Sequence, residues 1–185
     1  MIKRKVTYGD VYGLGLFFSN AKISDSEVNL CILKNRQSIH DLCIEISKKE
    51  IELDIRGIKE TLQNKVLELR KEYFEFDSDG NPIIEDGKFK TLEGQTQEMY
   101  LEAANSFSEA CRTENADRVS SFNEYLAQVV EIEVDMLDRR KMRLFTGQEL
   151  AVLAPICPEK MNKSHLPKEM TIEQLQALIR YVNII

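Results

Sequence analysis

Few residues in this chain are suited to chemistry. Histidine does most general acid–base work near neutral pH, and the 185 residues include two, His40 and His165. The four cysteines stand at 31, 43, 111 and 157, with no C-x-x-C pair. His40 and Cys43 share a face if their segment is helical, so a Cys–His pair or half a metal site is geometrically open there. Cys111 is the one further ligand that can be named. The plainer alternative is a helix residue beside a buried thiol. Gly13-x-Gly15 lacks the rest of a dinucleotide fingerprint. Asp77, Asp79 and Asn81 have the spacing of half a calcium loop, but Pro82 replaces the sixth-position Gly and Lys88 the twelfth-position Glu. No nucleophile elbow, phosphate-binding loop or H-E-x-x-H is present. The 31 carboxylates contain no pair that stands out as catalytic. The expectation is a protein that is not an enzyme and carries no metal and no cofactor. A cryptic site at His40 and Cys43 is the enzymatic alternative.

The charges suggest contacts with other macromolecules. The net charge is −6, but residues 72–135 carry 16 acidic and 4 basic side chains, while 1–71 and 136–185 are each +3. An acidic middle disfavours direct nucleic-acid binding, because phosphates would be repelled. It suits a basic partner, or imitation of nucleic acid, or simply a solvated face. A basic cluster follows at Arg139, Arg140, Lys141 and Arg143, then Lys160, Lys163, His165 and Lys168; no aromatics interleave it, so it does not read as a nucleic-acid surface. With Glu131, Glu133 and Asp135, the Arg139–Arg143 cluster forms the candidate partner-binding set.

The elements that must hold these residues can be read from periodicity. At 43% hydrophobic and 30% charged, the chain can build a core. No apolar run reaches the ~18–20 residues of a membrane span. The basic start has no apolar stretch or cleavage site of a secretory signal after it, and free cysteines fit a reducing compartment. Thr7 to Asp10 predicts a helix start, with Leu14, Leu16, Phe17 and Phe18 packed on the body. Ser24-Asp25-Ser26-Glu27 reads as a capping box. Apolar residues then recur at helical spacing to residue 76, interrupted between Ile46 and Ile51. One helix of about 48 residues would be ~72 Å long; a break near Gly57 is the alternative. Turn chemistry at 77–82 leads to Ile83–Glu85 and Lys88–Lys90 around Asp86-Gly87, a hairpin signal. A second helical region covers about 95–128. Val130, Ile132, Val134 and Met136 alternate with acids, as a strand would, although the end of the helix is an alternative.

The fold class is therefore expected to be mainly α. It would be a long antiparallel helical hairpin (25–75 against 95–128) with a small β element at its tip and short C-terminal helices. Ile55, Ile58, Leu62, Val66 and Leu69 should face Phe107, Phe122, Tyr125, Leu126 and Val129. Residues 1–154 should form the hairpin domain, with the Pro-containing loop and helix of 155–185 docked on it. Thr146-Gly147-Gln148-Glu149-Leu150 echoes Thr171-Ile172-Glu173-Gln174-Leu175, each a capped helix start. The strand near 129–136 should pair with an N-terminal or tip segment.

The order of these features carries a resemblance. Leu33-Lys34-Asn35, then Glu68 to Tyr73, Asp77 to Asn81, Ile83 to Lys90, Val130 to Asp135 and Thr146 to Leu153 together resemble small uncharacterised helical-hairpin proteins of tailed bacteriophages, over about residues 24–154. The longer N-terminal segment and the Pro-containing C-terminal part depart from that pattern. The resemblance implies a viral, virion or host-cytoplasmic protein and transfers no functional residue. The expected function is a non-enzymatic structural or assembly protein of a phage particle, a homo-oligomer or a binder of virion proteins, without membrane contact. The alternative is a small acidic binding protein that inhibits a host or defence factor, with imitation of nucleic acid as one means.

Overall fold

Thr7 ends a strand and starts a helix. Its hydroxyl accepts the Asp10 amide at 3.1 Å while the Asp10 carboxylate accepts the Thr7 amide at 2.8 Å, a reciprocal cap. The computed structural model describes residues 1–185. In chain order the elements are β1 (Ile2–Thr7), α1 (Tyr8–Asn20), α2 (Ser26–Ser38), α3 (His40–Glu52), α4 (Ile55–Tyr73), β2 (Ile84–Glu85) and β3 (Lys88–Phe89). They continue with α5 (Gln97–Glu114), α6 (Ala116–Ala127), β4 (Val129–Val134), α7 (Gly147–Leu153), β5 (Lys160–Met161), α8 (Ile172–Ile179) and β6 (Asn183–Ile184). The chain is mainly helical, and its six short strands form three two-stranded sheets. No helix is long and apolar enough to cross a membrane.

The helix expected across 25–75 is three helices. Ile39 separates the first two at φ −97° and ψ 4°. Asp54, with φ 53° in the left-handed region, separates the second from the third. Gly57 makes room for that bend: a Cβ on it would collide with the Asp54 carboxylate. Asp25, rather than Ser24, caps α2, accepting the Glu27 and Val28 amides at 3.1 Å each.

The chain divides into two compact units, residues 1–48 with 124–185, and residues 49–123. Residues 155–185 fall in the same unit as residues 1–48 and 124–154. In the first unit β1 and β4 pair antiparallel, from Ile2↔Val134 to Thr7↔Val129. The alternation is that of a half-buried sheet: Arg4, Val6, Ile132 and Val134 face inward. Leu14, Ile39, Leu150, Leu153, Ile156 and Leu178 complete this core at no more than 1% exposure. Each such side chain contributes about 1.5–3 kcal/mol by burial. Arg4 is inside because its guanidinium donates to the Ala154 and Pro155 carbonyls at 3.2 and 2.7 Å.

In the second unit Ile55, Leu69, Phe74, Cys111 and Phe122 are buried, whereas Ile58, Leu62, Val66 and Phe107 are half-buried. Tyr73 meets Tyr100 edge-on at 6.0 Å, and Asp54 ion-pairs with Arg118 at 3.1 Å. The expected seam is shorter than its residue set. Tyr125 instead packs on Tyr8 within the first unit, ring centroids 4.7 Å apart, and Val129 is 66% exposed. Asp86 and Gly87 both have positive φ, at 49° and 76°, which closes the β2–β3 hairpin in the manner its sequence demands.

Candidate partner-binding groove

The charged set singled out by sequence is largely neutralised within the chain. Register places Lys3 opposite Glu133 and Lys5 opposite Glu131 on the solvent face of the β1–β4 sheet, and Lys3 bridges to Glu131 at 3.0 Å. Asp135 holds Lys34 at 3.0 Å. Arg140 forks onto Asp138, with its Nη2 at 2.6 Å, and this holds the Asp138 carboxyl down at about 2. Lys141 reaches Asp25 at 2.5 Å and Glu27 at 3.2 Å across to the start of α2. These contacts tie β4 and the turn after it to β1 and α2. The exposed Lys3–Glu131 pair stabilises little, whereas the Lys141–Asp25 pair is half-buried on both sides.

His40 and Cys43 stand three residues apart in the first turn of α3. His40 is exposed and Cys43 half-buried, its sulfur lodged against Gly15, where a Cβ would come within 2.8 Å. No group of three or more His, Cys, Asp or Glu is placed to hold a metal ion. Burial pushes the Cys31 thiol up to about 11 and the Cys157 thiol up to about 12. At neutral pH both are protonated and poor nucleophiles. Asp77 spends its carboxylate on the Asp79 and Asn81 amides, at 2.9 and 2.8 Å, forming an Asx turn and no ligand set.

Arg143 behaves differently from its neighbours. It stands on the 3-10 turn Arg139–Leu144, and its Nε and Nη2 both donate to the Ser164 carbonyl, at 2.9 and 2.5 Å. That contact anchors the 162–170 loop. The far end of the loop is held by α8. Thr171 and Gln174 cap each other's backbone there, as Thr146 and Glu149 do in α7. The two echoed helix starts pack together: a Cβ on Gly147 would come within 2.5 Å of Gln174 Oε1 and 3.2 Å of the Glu169 carbonyl. Parallel pairing of β5 with β6 brings Ile184 alongside.

Between these supports lies an open groove of about 920 Å³. Its floor is apolar, built from Leu166, Pro167, Met170, Leu175, Ile179 and Ile184. Its rim carries Arg143, Lys163 and Lys168, and no carboxylate lines it. Ile179 is 57% exposed here, a large aliphatic presented to solvent beside cations. Sequence reasoning named the rim cations but missed the floor, whose residues are spread over 19 positions of loop, helix and strand. The capping box at Thr171 was the available signal, since α8, which it starts, supplies Leu175 and Ile179 to the floor.

Comparison with family models, with curated proteins and with solved structures finds no match for the chain.

Proposed function

We propose that this chain is a non-enzymatic assembly protein that acts through protein–protein contacts, in several copies, within a tailed-phage particle. The groove of the 143–184 region carries the proposal. An exposed apolar floor ringed by cations is the surface of a docking module, since apolar area supplies affinity and rim charge supplies steering and register. The segregated charge of the sequence supports the multi-copy reading, because acidic and basic segments of neighbouring copies attract. In the second unit we propose an antiparallel helical hairpin of α4 against α5 and α6, closed by the β2–β3 tip. The Tyr73–Tyr100 and Asp54–Arg118 contacts support it.

Affinity purification of the tagged protein from its native setting, with mass spectrometry, tests the function. Portal, capsid or tail proteins at fixed stoichiometry are the expected outcome. A single host nucleic-acid-binding enzyme, released by salt, would replace the proposal by the second reading, an acidic inhibitor. The specific observation favouring that reading is the excess of 16 acids over 4 bases in residues 72–135.

A further inference from the structure

We infer that the groove of one copy receives the acidic tip of a second copy, in a head-to-tail contact. This rests on the multi-copy reading above and names the partner of the same groove. The tip is the segment Glu75–Glu93, with six carboxylates and two lysines. Lys90 is already paired, with Glu75 at 3.1 Å and Glu85 at 3.3 Å. At the hairpin's end Ile84 is 63% exposed beside Glu85 and Asp86, and Leu92 is also exposed. The tip thus offers aliphatic side chains among carboxylates. The groove offers an aliphatic floor among cations and no carboxylate. One chain carries both halves of the match, and they are different surfaces. The contact is therefore heterologous, and it propagates into a ring or an open filament according to its rotation. A groove of this size buries less than a standard interface, so each contact belongs to the weak, concentration-dependent class.

The test uses the full chain in sedimentation velocity over a concentration series. The wild type should assemble as concentration rises, with association at least about tenfold weaker when salt is raised from about 0.05 to 0.5 M. Lys163→Glu/Lys168→Glu makes the groove acidic. Asp79→Lys/Glu93→Lys makes the tip basic. All four side chains are exposed and enter no side-chain ion pair, and unchanged circular dichroism would confirm folding. Each double variant alone should associate at least about tenfold more weakly than wild type. Mixed in equal amounts, they should assemble, because the acidic tip of the first fits the basic groove of the second and the reverse pairing is also opposite in charge. Variants that assemble like wild type would overturn the groove–tip contact and leave the multi-copy reading standing. A mixture that stays as dissociated as its parts would overturn it too. A wild type whose sedimentation is independent of concentration would overturn it outright; the function would then depend on whether particle proteins are recovered in the native purification.

Discussion

The side-chain amide of Asn35 pairs with both backbone polar groups of Asp135. Its Nδ2 donates to the Asp135 carbonyl at 2.8 Å, and the Asp135 amide donates to its Oδ1 at 2.9 Å. Asn35 is wholly buried. It therefore acts as one residue of an extra strand at the end of β4, supplied by α2, where the pairing with β1 stops. Replacing it by Ala leaves the Asp135 amide without its partner and the Asp135 carbonyl with only the weak Cys31 thiol donor at 3.3 Å; an unpartnered buried backbone group costs about 1–3 kcal/mol. Asp135 keeps some solvent access, so Asn35→Ala should lower stability by about 2–4 kcal/mol in urea unfolding. Asn35→Asp should do no better, since a carboxylate cannot donate to the Asp135 carbonyl. An effect below about 0.5 kcal/mol would show that the clasp is not structural.

Core truncations should rank by burial. Leu150 has no exposed area, and Leu150→Ala should cost about 2–5 kcal/mol. Leu62 is half-buried on α4, so Leu62→Ala should cost below about 2 kcal/mol. Equal losses at the two positions would contradict the packing of α4 given above.

Asp10 makes stability depend on pH. Burial acts to raise its carboxyl, but hydrogen bonds from Thr7 and Tyr181 and the Arg180 cation outweigh burial and hold it below the ordinary 3.8. A depressed carboxyl stabilises the fold above its unfolded value and loses that contribution as pH falls through its folded value. The contribution should be intact at pH 5 and above and decline on acidification below 3.8. Asp10→Asn should flatten that part of the profile in urea midpoints measured across the acid range. An unchanged profile would assign the acid sensitivity elsewhere.

Thiol labelling should proceed in order of access. Cys43 is half-buried, while Cys157 has no exposed area and its Sγ lies 3.8 Å from the Met142 sulfur. A maleimide or disulfide reagent at mildly alkaline pH should modify Cys43 first and Cys157 only through unfolding. Mass mapping of partial reactions gives the order; early modification of Cys157 would show that its site opens locally.

Local chemistry was legible in the sequence; of the long-range pairing only one part was, the meeting of the 129–136 strand with an N-terminal or tip segment, which is β1. The caps at Thr7, Thr146 and Thr171 and the Asp86-Gly87 turn follow from short-range hydrogen bonding and backbone sterics, so residue types declare them. The β4 alternation declared itself for the same reason. The break at Asp54 was legible only as the alternative near Gly57, because the left-handed residue itself is neither Gly nor Pro. β1 hid behind a basic run whose lysines face Glu131 and Glu133, residues more than 120 positions away. For the same reason the acidic face of β4 and most of the Arg139–Arg143 cluster look available in the sequence, whereas the fold gives them internal partners. The groove floor depends on a loop, a helix and a strand folding against one another, and its residues follow no single helical or strand period.

The pairing of β1 with β4 also bears on how the protein is made. Ile2 pairs with Val134, and residues 49–123 form a separate unit between the two strands. At a synthesis rate of about 5–20 residues per second, β1 leaves the ribosome on the order of ten seconds before its partner exists. Through that interval its ladder groups and Val6 lack their native cover, while the intervening unit has all its residues and can fold first. Lys3, Arg4 and Lys5, three adjacent cations on an unpaired strand, repel other nascent copies during that wait. The charges that end up in a cross-strand pair and a buried tether thus guard the chain against premature aggregation while it is still being translated.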